Sequence, residues 1–281
     1  MTAVGSIRSF PQAVREIWGR RELLGMLVRR ELKARYRDSS LGALWSLIRP
    51  LTMLLIYYVA IGKFLGAERS IPQFAIFVFT GLTVWQLFNE IVVGATRSIV
   101  DNASLIKKIY LPREIFPLAA VGSALVNFAI MFVVLLAATL VLGQPPRLEA
   151  LWTVPAGFIM LVLFSFALGL LAAALNVYFR DVQHLVEIVL LILFWASPIV
   201  YSYQQVHSIL QGGWIEQVYL ANPVTTVVLY FQQGMWAAGP SDGMPEGSLL
   251  RLLIAFVVSV VLLWAAQRVF ARLEGNFAQE L

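Results

Sequence analysis

Residues 73–118 read QFAIFVFTGLTVWQLFNEIVVGATRSIVDNASLIKKIYLPREIFPL. The stretch joins two long apolar runs, 73–95 and the start of 115–142, through a short polar segment. Each run is long enough to cross a hydrocarbon layer of about 30 Å as a helix. Between them, NASLIKKIYLPRE (102–114) predicts a helix of two turns over about 102–112. Asp101 or Asn102 can cap its start. Leu105, Ile106, Ile109 and Tyr110 recur on one side at helical spacing, and Lys107 and Lys108 lie on the other. Pro112 ends it, and Leu111 before the proline is biased away from the α region. So short a helix is marginal alone in water. Its apolar face therefore meets either a groove on a partner or its own bundle, and the residues leave both open.

The same pattern repeats along the chain. Of its 281 residues, 59% are hydrophobic and 13% charged, against about 45–50% and 25% in an average soluble domain. The expected fold is an all-α polytopic membrane protein with six spans, near 43–63, 73–95, 115–142, 152–175, 185–202 and 249–268. The expected organisation is a cytosolic lead and amphipathic interface helix over 1–42, then a six-span transmembrane domain over 43–281. GAERSIP, LGQPPRLE and LNVYFRDVQH punctuate the spans. An insert over 203–248 separates the fifth from the sixth; its apolar stretch is broken at Asn222–Pro223, which predicts two short helices dipping back into the outer leaflet. Backbone so broken is tolerated at that depth only where protein or a wet cavity covers it.

Charge orients the spans. With the N-terminus inside, nine of the 21 Lys and Arg precede residue 42, and Arg49, Arg97, Lys107, Lys108, Arg113, Arg180, Arg268 and Arg272 join them. Lys63, Arg69, Arg147 and Arg251 stay outside. This asymmetry puts both termini in the cytosol. Residues 21–37 interleave Arg29, Arg30, Lys33, Arg35 and Arg37 with Leu23, Leu24, Leu27 and Val28. They read equally as a helix lying in the membrane interface or as a positive-inside anchor. No apolar core of a cleavable signal is visible in the first 20 residues, and the uneven charge implies topology, not nucleic-acid binding.

The chain shows little catalytic chemistry. It has no cysteine, no G-x-x-x-x-G-K-[ST] phosphate loop, and neither G-x-S-x-G nor H-E-x-x-H. The two histidines, His184 and His207, are far apart and without a ligand cluster. Glu90, Glu114, Asp181 and Glu187 read as lying near cytosolic ends of spans, where a proton-coupled carrier would place acids deeper. Arg49 is the basic residue within the first apolar run. It is a functional candidate or a snorkelling side chain. The aromatics Trp45, Tyr57, Tyr58, Trp85, Phe88, Trp195 and Tyr201 can be interface belts or a surface over which a sugar chain slides. Span four, FALGLLAAALNVYF, is rich in small residues, as close helix packing requires.

Four blocks, RRELKARYRDSSLGALWSLIRPL, NASLIKKIYLPREIFPL, LNVYFRDVQHLVEIVLLILFWASPIVYS and NPVTTVVLYFQ, resemble the permease subunits of type-2 ABC exporters for cell-surface polysaccharides, the Wzm, TagG and KpsM groups. The likeness runs from about residue 20 to about 275. It implies a homodimer in the bacterial cytoplasmic membrane, paired with two copies of a cytosolic ABC ATPase that binds the ATP and Mg. No cofactor or metal belongs to this chain. The loop between spans two and three becomes a coupling helix that docks in the ATPase through Asn102, Ser104, Leu105, Ile106, Lys107, Lys108, Tyr110 and Arg113. Tyr178, Arg180 and Asp181 become a second cytosolic contact. The insert becomes the outer re-entrant helices that help close the exit. The cargo becomes a polyprenyl-diphosphate-linked glycan, such as O-antigen, teichoic acid or galactan, with a lean toward galactan from residues 70–92. Arg49 would meet the diphosphate, and the aromatics named above would line the path or gate.

Two rivals stand beside this. An ABC exporter of a drug or small lipid keeps the fold and changes the cargo. A membrane-embedded glycan-processing enzyme needs a cluster of acids at a membrane face, and the insert offers Glu216, Asp242 and Glu246 as its acids.

Overall fold

A computed structural model describes residues 18–35, 44–108, 111–240 and 243–281. The lead over 1–17, Arg37, the link to the first span, Ile109, Tyr110 and Asp242 lie outside the described residues. Every described element is a helix. In chain order they are α1 (Arg21–Arg35), α2 (Trp45–Tyr57), α3 (Phe74–Asp101), α4 (Ala103–Ile106), α5 (Ile115–Val141), α6 (Ala150–Tyr178), α7 (Val182–Trp195), α8 (Tyr203–Leu210), α9 (Trp214–Leu220), α10 (Pro223–Met235), α11 (Ser248–Leu273) and α12 (Phe277–Glu280). A π-helical segment, Tyr58–Phe64, prolongs α2.

Five helices among the described residues are long and apolar enough to cross a membrane: Leu47–Phe64, Phe74–Asp101, Ile115–Val141, Ala150–Tyr178 and Ser248–Glu280. The chain is an all-α polytopic membrane protein. The centre is α6, which packs on α3, α10 and α11, while α5 packs on the other side of α3. The expected small residues make this possible. A Cβ added at Gly169 of α6 would stand 2.6 Å from the Ala95 Cβ of α3, so the two backbones approach closely because Gly169 has none.

The fifth span departs from expectation. It was expected over 185–202, yet α7 stops at Trp195 after 14 residues, about 21 Å of helix. Residues 196–202 remain apolar and Ser197, Pro198, Ile199 and Val200 are buried, but their backbone is irregular. The carbonyls that α7 leaves open are satisfied from α10. Asn222 donates to Ala196 O at 3.2 Å, Thr225 to the same oxygen at 3.0 Å, and Gln232 to Pro198 O at 2.7 Å. An open helix end in an apolar setting persists only with such partners.

The insert carries three helices where two were expected. The break at Asn222–Pro223 is real: the Asn222 side chain caps α10 by accepting from Val224 N–H at 3.0 Å, and Pro223 takes the first turn, where its missing N–H costs nothing. Helix α10 is buried over almost its whole length. The added helix, α8, starts with a capping box in which Ser202 and Gln205 bond each other's backbone.

The two ends of the bundle differ. At one end, Leu27 of α1, Ile99, Ile106, Ile115, Phe116, Val177, Phe270 and Phe277 form one buried cluster. Helix α1, the 101–115 connection, the end of α6 and the C-terminal segment therefore share that end. The apolar stripe of α1 lies on α5, where Val28 fills the space over Gly122: a Cβ there would be 2.6 Å from Val28 Cγ2. The insert caps the opposite end.

Candidate functional site: the α1 end and its cleft

The short helix after α3 is smaller than expected. Helix α4 is one turn, Ala103–Ile106, and the first half of the expected 102–112 helix. Asn102 does not cap it with its side chain. Instead the Asn102 amide donates to Ser98 O at 2.7 Å, and its carbonyl oxygen accepts from the Arg30 guanidinium of α1. Asn102 thus ties α1 to the end of α3. Ile106 is buried against α1, α5 and α6, and Leu105 is half-buried beside it. The apolar side of the turn thus meets its own bundle, which corrects the expectation that Ile106 faces a partner. Ser104, Lys107 and Lys108 remain exposed. Arg113 sits with its guanidinium 5.6 Å from the Phe277 ring centre.

Tyr178, Arg180 and Asp181 lie on the same end. Tyr178 is held: its hydroxyl donates to Leu273 O at 3.0 Å, and its ring meets Phe277 edge-on at 6.2 Å. Arg180 and Asp181 are exposed. The docking of Phe277 under these loops was not foreseen. Its only signal was an aromatic residue in an otherwise polar tail, EGNFAQEL.

A cleft of about 820 Å³ opens beside this platform. Its walls are Arg30, Glu31 and Ala34 of α1, Trp45, Arg49 and Pro50 of α2, Ala120 of α5, and one face of α3. That face carries Gln86, Asn89, Glu90, Arg97, Ser98 and Asp101, a polar stripe at helical spacing. Glu90 is residue 17 of the 28 in α3, near the middle of the helix. The helix continues for about three turns beyond it, to Asp101. Glu90 accepts from Gln86 Nε2 and from Asn127 Nδ2, each at 2.7 Å. Arg97 reaches across to Glu187 of α7 at 2.5 Å.

The expected aromatic path divides. Trp45 lines the cleft and is exposed. Tyr57 stacks on Phe194 at 6.0 Å, and Trp85 meets Phe194 at 5.3 Å and Phe88 at 5.5 Å. Phe88 is fully buried and stacks on Phe164 at 5.9 Å; it is core and lines no path in this conformation. Tyr58 belongs to the insert end, under the Lys63 ammonium at 5.2 Å. Trp195 is exposed, and Tyr201 donates to its carbonyl at 2.5 Å.

At the insert end, Glu216 is a buried carboxylate with three partners. Tyr203 OH donates at 2.7 Å, His207 Nδ1 lies at 2.9 Å, and Gly212 N–H donates at 2.8 Å. Burial alone would push the carboxyl up; the bonds from His207, Tyr203 and Gly212 outweigh it and hold the group below its ordinary 4.5. Burial raises the Tyr203 phenol, which keeps it a donor. A lowered carboxyl stabilises the fold above the unfolded value, and that contribution is lost as pH falls through the lowered one. Thermal unfolding should therefore show wild type above Glu216→Gln at neutral pH, with the gap closing below pH about 4.5. A gap independent of pH would discard this clasp as a stabiliser. The cluster serves α8 and α9; among the described residues no group of three His, Cys, Asp or Glu could hold a metal.

A polytopic all-α bundle with a short loop helix packed at one end and a polar cleft beside it defines the class as a helical membrane protein with a candidate ligand cleft. Residues 22–236 match the ABC-2 type transporter family, and the chain belongs to that family. It is 34% identical to the O-antigen export system permease protein RfbA of Myxococcus xanthus, over 95% of this chain and 98% of that one. RfbA of Klebsiella pneumoniae is 28% identical over 92% and 95%. The polysialic acid transport protein KpsM of Escherichia coli is 24% identical over 76% and 81%.

Proposed function

We propose that this chain is the permease subunit of an ATP-driven exporter that moves a lipid-linked polysaccharide, of O-antigen type, across the bacterial cytoplasmic membrane. The observation that carries the reading is the exposed Ser104, Lys107 and Lys108 edge on a turn whose other side is bolted to the bundle by Ile106 and Asn102. A turn so anchored transmits a push. The relatives named for O-antigen and polysialic acid support the cargo class.

In this reading the protein is a homodimer with both termini in the cytosol, bound by two ATPase subunits that hold the ATP and Mg²⁺. The chain breaks no bond. Ser104, Lys107 and Lys108 meet the ATPase, with Arg180 and Asp181 as the smaller second contact. Movement there passes through Ile106 to α5 and α6, and through Asn102 and Arg30 to α1. Arg49, which has no partner among the described residues, meets the diphosphate of the cargo, where a guanidinium pairs well with phosphate oxygens. Trp45, Trp195 and Tyr201 remain candidates for the path.

The test is purification of the protein in mild detergent through an N-terminal tag, since the C-terminal segment is docked, with mass spectrometry of what is retained. An ATPase at about one copy per permease, with a glycolipid, supports the reading. A lone permease, even with the candidate ATPase co-expressed, removes it. Galactan, teichoic acid and a small-lipid cargo are told apart by the lipid recovered.

A further inference from the structure

The segment after α11 turns back onto the bundle. A 3₁₀ turn over Glu274–Asn276 reverses it, and α12 lays Phe277, fully buried, into the cluster at the α1 end. Leu281 packs half-buried on the same cluster. Gly275, Asn276, Ala278, Gln279 and Glu280 stay exposed. A segment whose other residues face water keeps one conformation only if its few buried groups outweigh the entropy of ordering it.

The groups around the Phe277 ring come from both loops of this end. From the loop after α4, the Arg113 guanidinium stands 5.6 Å from the ring centre, inside the limit of about 6 Å for a cation–π contact. Its Nη1 is buried with no hydrogen-bond partner among the described residues, so the ring face is what meets it. From the end of α6, the Tyr178 ring stands 6.2 Å away. The Tyr178 hydroxyl donates to Leu273 O at 3.0 Å, one of the carbonyls that the end of α11 leaves open. From α11 itself, Phe270 meets the ring edge-on at 5.3 Å. Just past Tyr178 the backbone becomes extended at Phe179 and reaches the exposed Arg180 and Asp181. Phe277 thus stands between the two loops and touches both.

Two loops pushed by one partner move together only if they are joined. Asn102 and Ile106 tie the first loop to α1, α5 and α6. The second loop leaves α6 and is tied to the first through Phe277 and Arg113. Coupling between distant sites is carried by packed contacts of this kind.

We infer that residues 274–281 form a strap that locks the loop after α4 and the loop after α6 into one rigid platform, with Phe277 as its positioning residue. The inference rests on the exporter reading above and adds to it how two separate ATPase contacts deliver a single movement. Buried as it is, Phe277 acts through Arg113 and Tyr178.

The experiment uses the full-length permease with an N-terminal tag, co-expressed with its ATPase in cells that depend on it for surface polysaccharide. Surface polysaccharide per permease is measured in the cells. ATPase retention, ATP hydrolysis and thermal stability are measured on the complex purified from them into lipid nanodiscs. Phe277→Ala should keep the ATPase and its hydrolysis, while export per ATP hydrolysed falls by roughly fivefold, a middle value for one residue's share of a coupling. Tyr178→Phe removes the bond to Leu273 and keeps the ring. It should lower the same ratio by a smaller factor at wild-type thermal stability, and it decides the matter if Phe277→Ala folds poorly. Phe277→Leu keeps an apolar group in the cluster and loses the ring, so it should regain thermal stability and keep the low ratio. A ratio restored together with stability would make Phe277 a packing residue and overturn the strap. So would export and hydrolysis falling in step in Phe277→Ala and Tyr178→Phe, and the exporter would still stand. Loss of the ATPase from Phe277→Ala at unchanged thermal stability would make the segment a docking surface and also overturn it. If wild type retains no ATPase, the exporter reading falls and the strap with it.

Discussion

Replacing Lys107 and Lys108 together by glutamate should cut polysaccharide export by at least about tenfold and strip the ATPase from the purified permease, while thermal stability stays at the wild-type value. Both side chains are exposed and hold no bond among the described residues, so surface substitution there costs the fold little, within about 0.5 kcal/mol. At a docked surface the same reversal sets like charge against like, or removes a matched pair, and that costs several kcal/mol of association. Ile106→Asp is the contrasting variant. Ile106 is 8% exposed in the cluster that joins α1, α5 and α6. An unpaired carboxylate there lowers stability by several kcal/mol, so export and thermal stability should fall together. The pair separates docking from folding. Normal export from the double lysine reversal, with the ATPase still bound, would leave the exposed edge without a role.

Gly169→Ala should destabilise the bundle, although alanine is the better helix former. Propensity favours the substitution by about 1 kcal/mol. Against it stands the added Cβ at 2.6 Å from Ala95 Cβ and 3.4 Å from Ile91 O. Ala95 is fully buried and its Cβ cannot swing aside, so α3 and α6 must separate; overpacking of this kind costs about 1–3 kcal/mol, occasionally more. Gly169→Leu should go further and give little folded protein. The rescue decides the cause: Ala95→Gly in the Gly169→Ala background moves the methyl from one helix to the other and should restore thermal stability. A double variant no better than Gly169→Ala would show that the close approach at this crossing is not what the glycine provides.

Much of this architecture is legible in one dimension because a membrane sorts by length and apolarity. A run of about 20 apolar residues leaves the backbone no partner except itself, so it becomes a helix. The breaks at GAERSIP and LGQPPRLE, and the one at Asn222–Pro223, carry their own local turn and cap chemistry. The polar stripe of α3 was also present in the sequence: Gln86, Asn89, Glu90 and Arg97 recur at helical spacing inside an apolar run. The apolar run was ended at residue 95, which put Glu90 near an end, whereas the helix runs on to Asp101.

Other features have no local signal. WASPIVYS is apolar enough to continue a span; the end of α7 is held by Asn222, Thr225 and Gln232, which come from a helix much later in the chain. Likewise the period of Leu105, Ile106, Lys107 and Lys108 shows that the turn has two sides, but not which side meets the bundle. That depends on Leu27, Phe116 and Phe277, three residues from three distant segments. Composition and run length settle that this chain lies in a membrane and roughly where it crosses, because each span satisfies its own backbone. Which polar groups meet, which turn is anchored and which edge stays open are settled by packing between helices far apart in sequence, since a side chain's partner is fixed by where the other helix stands.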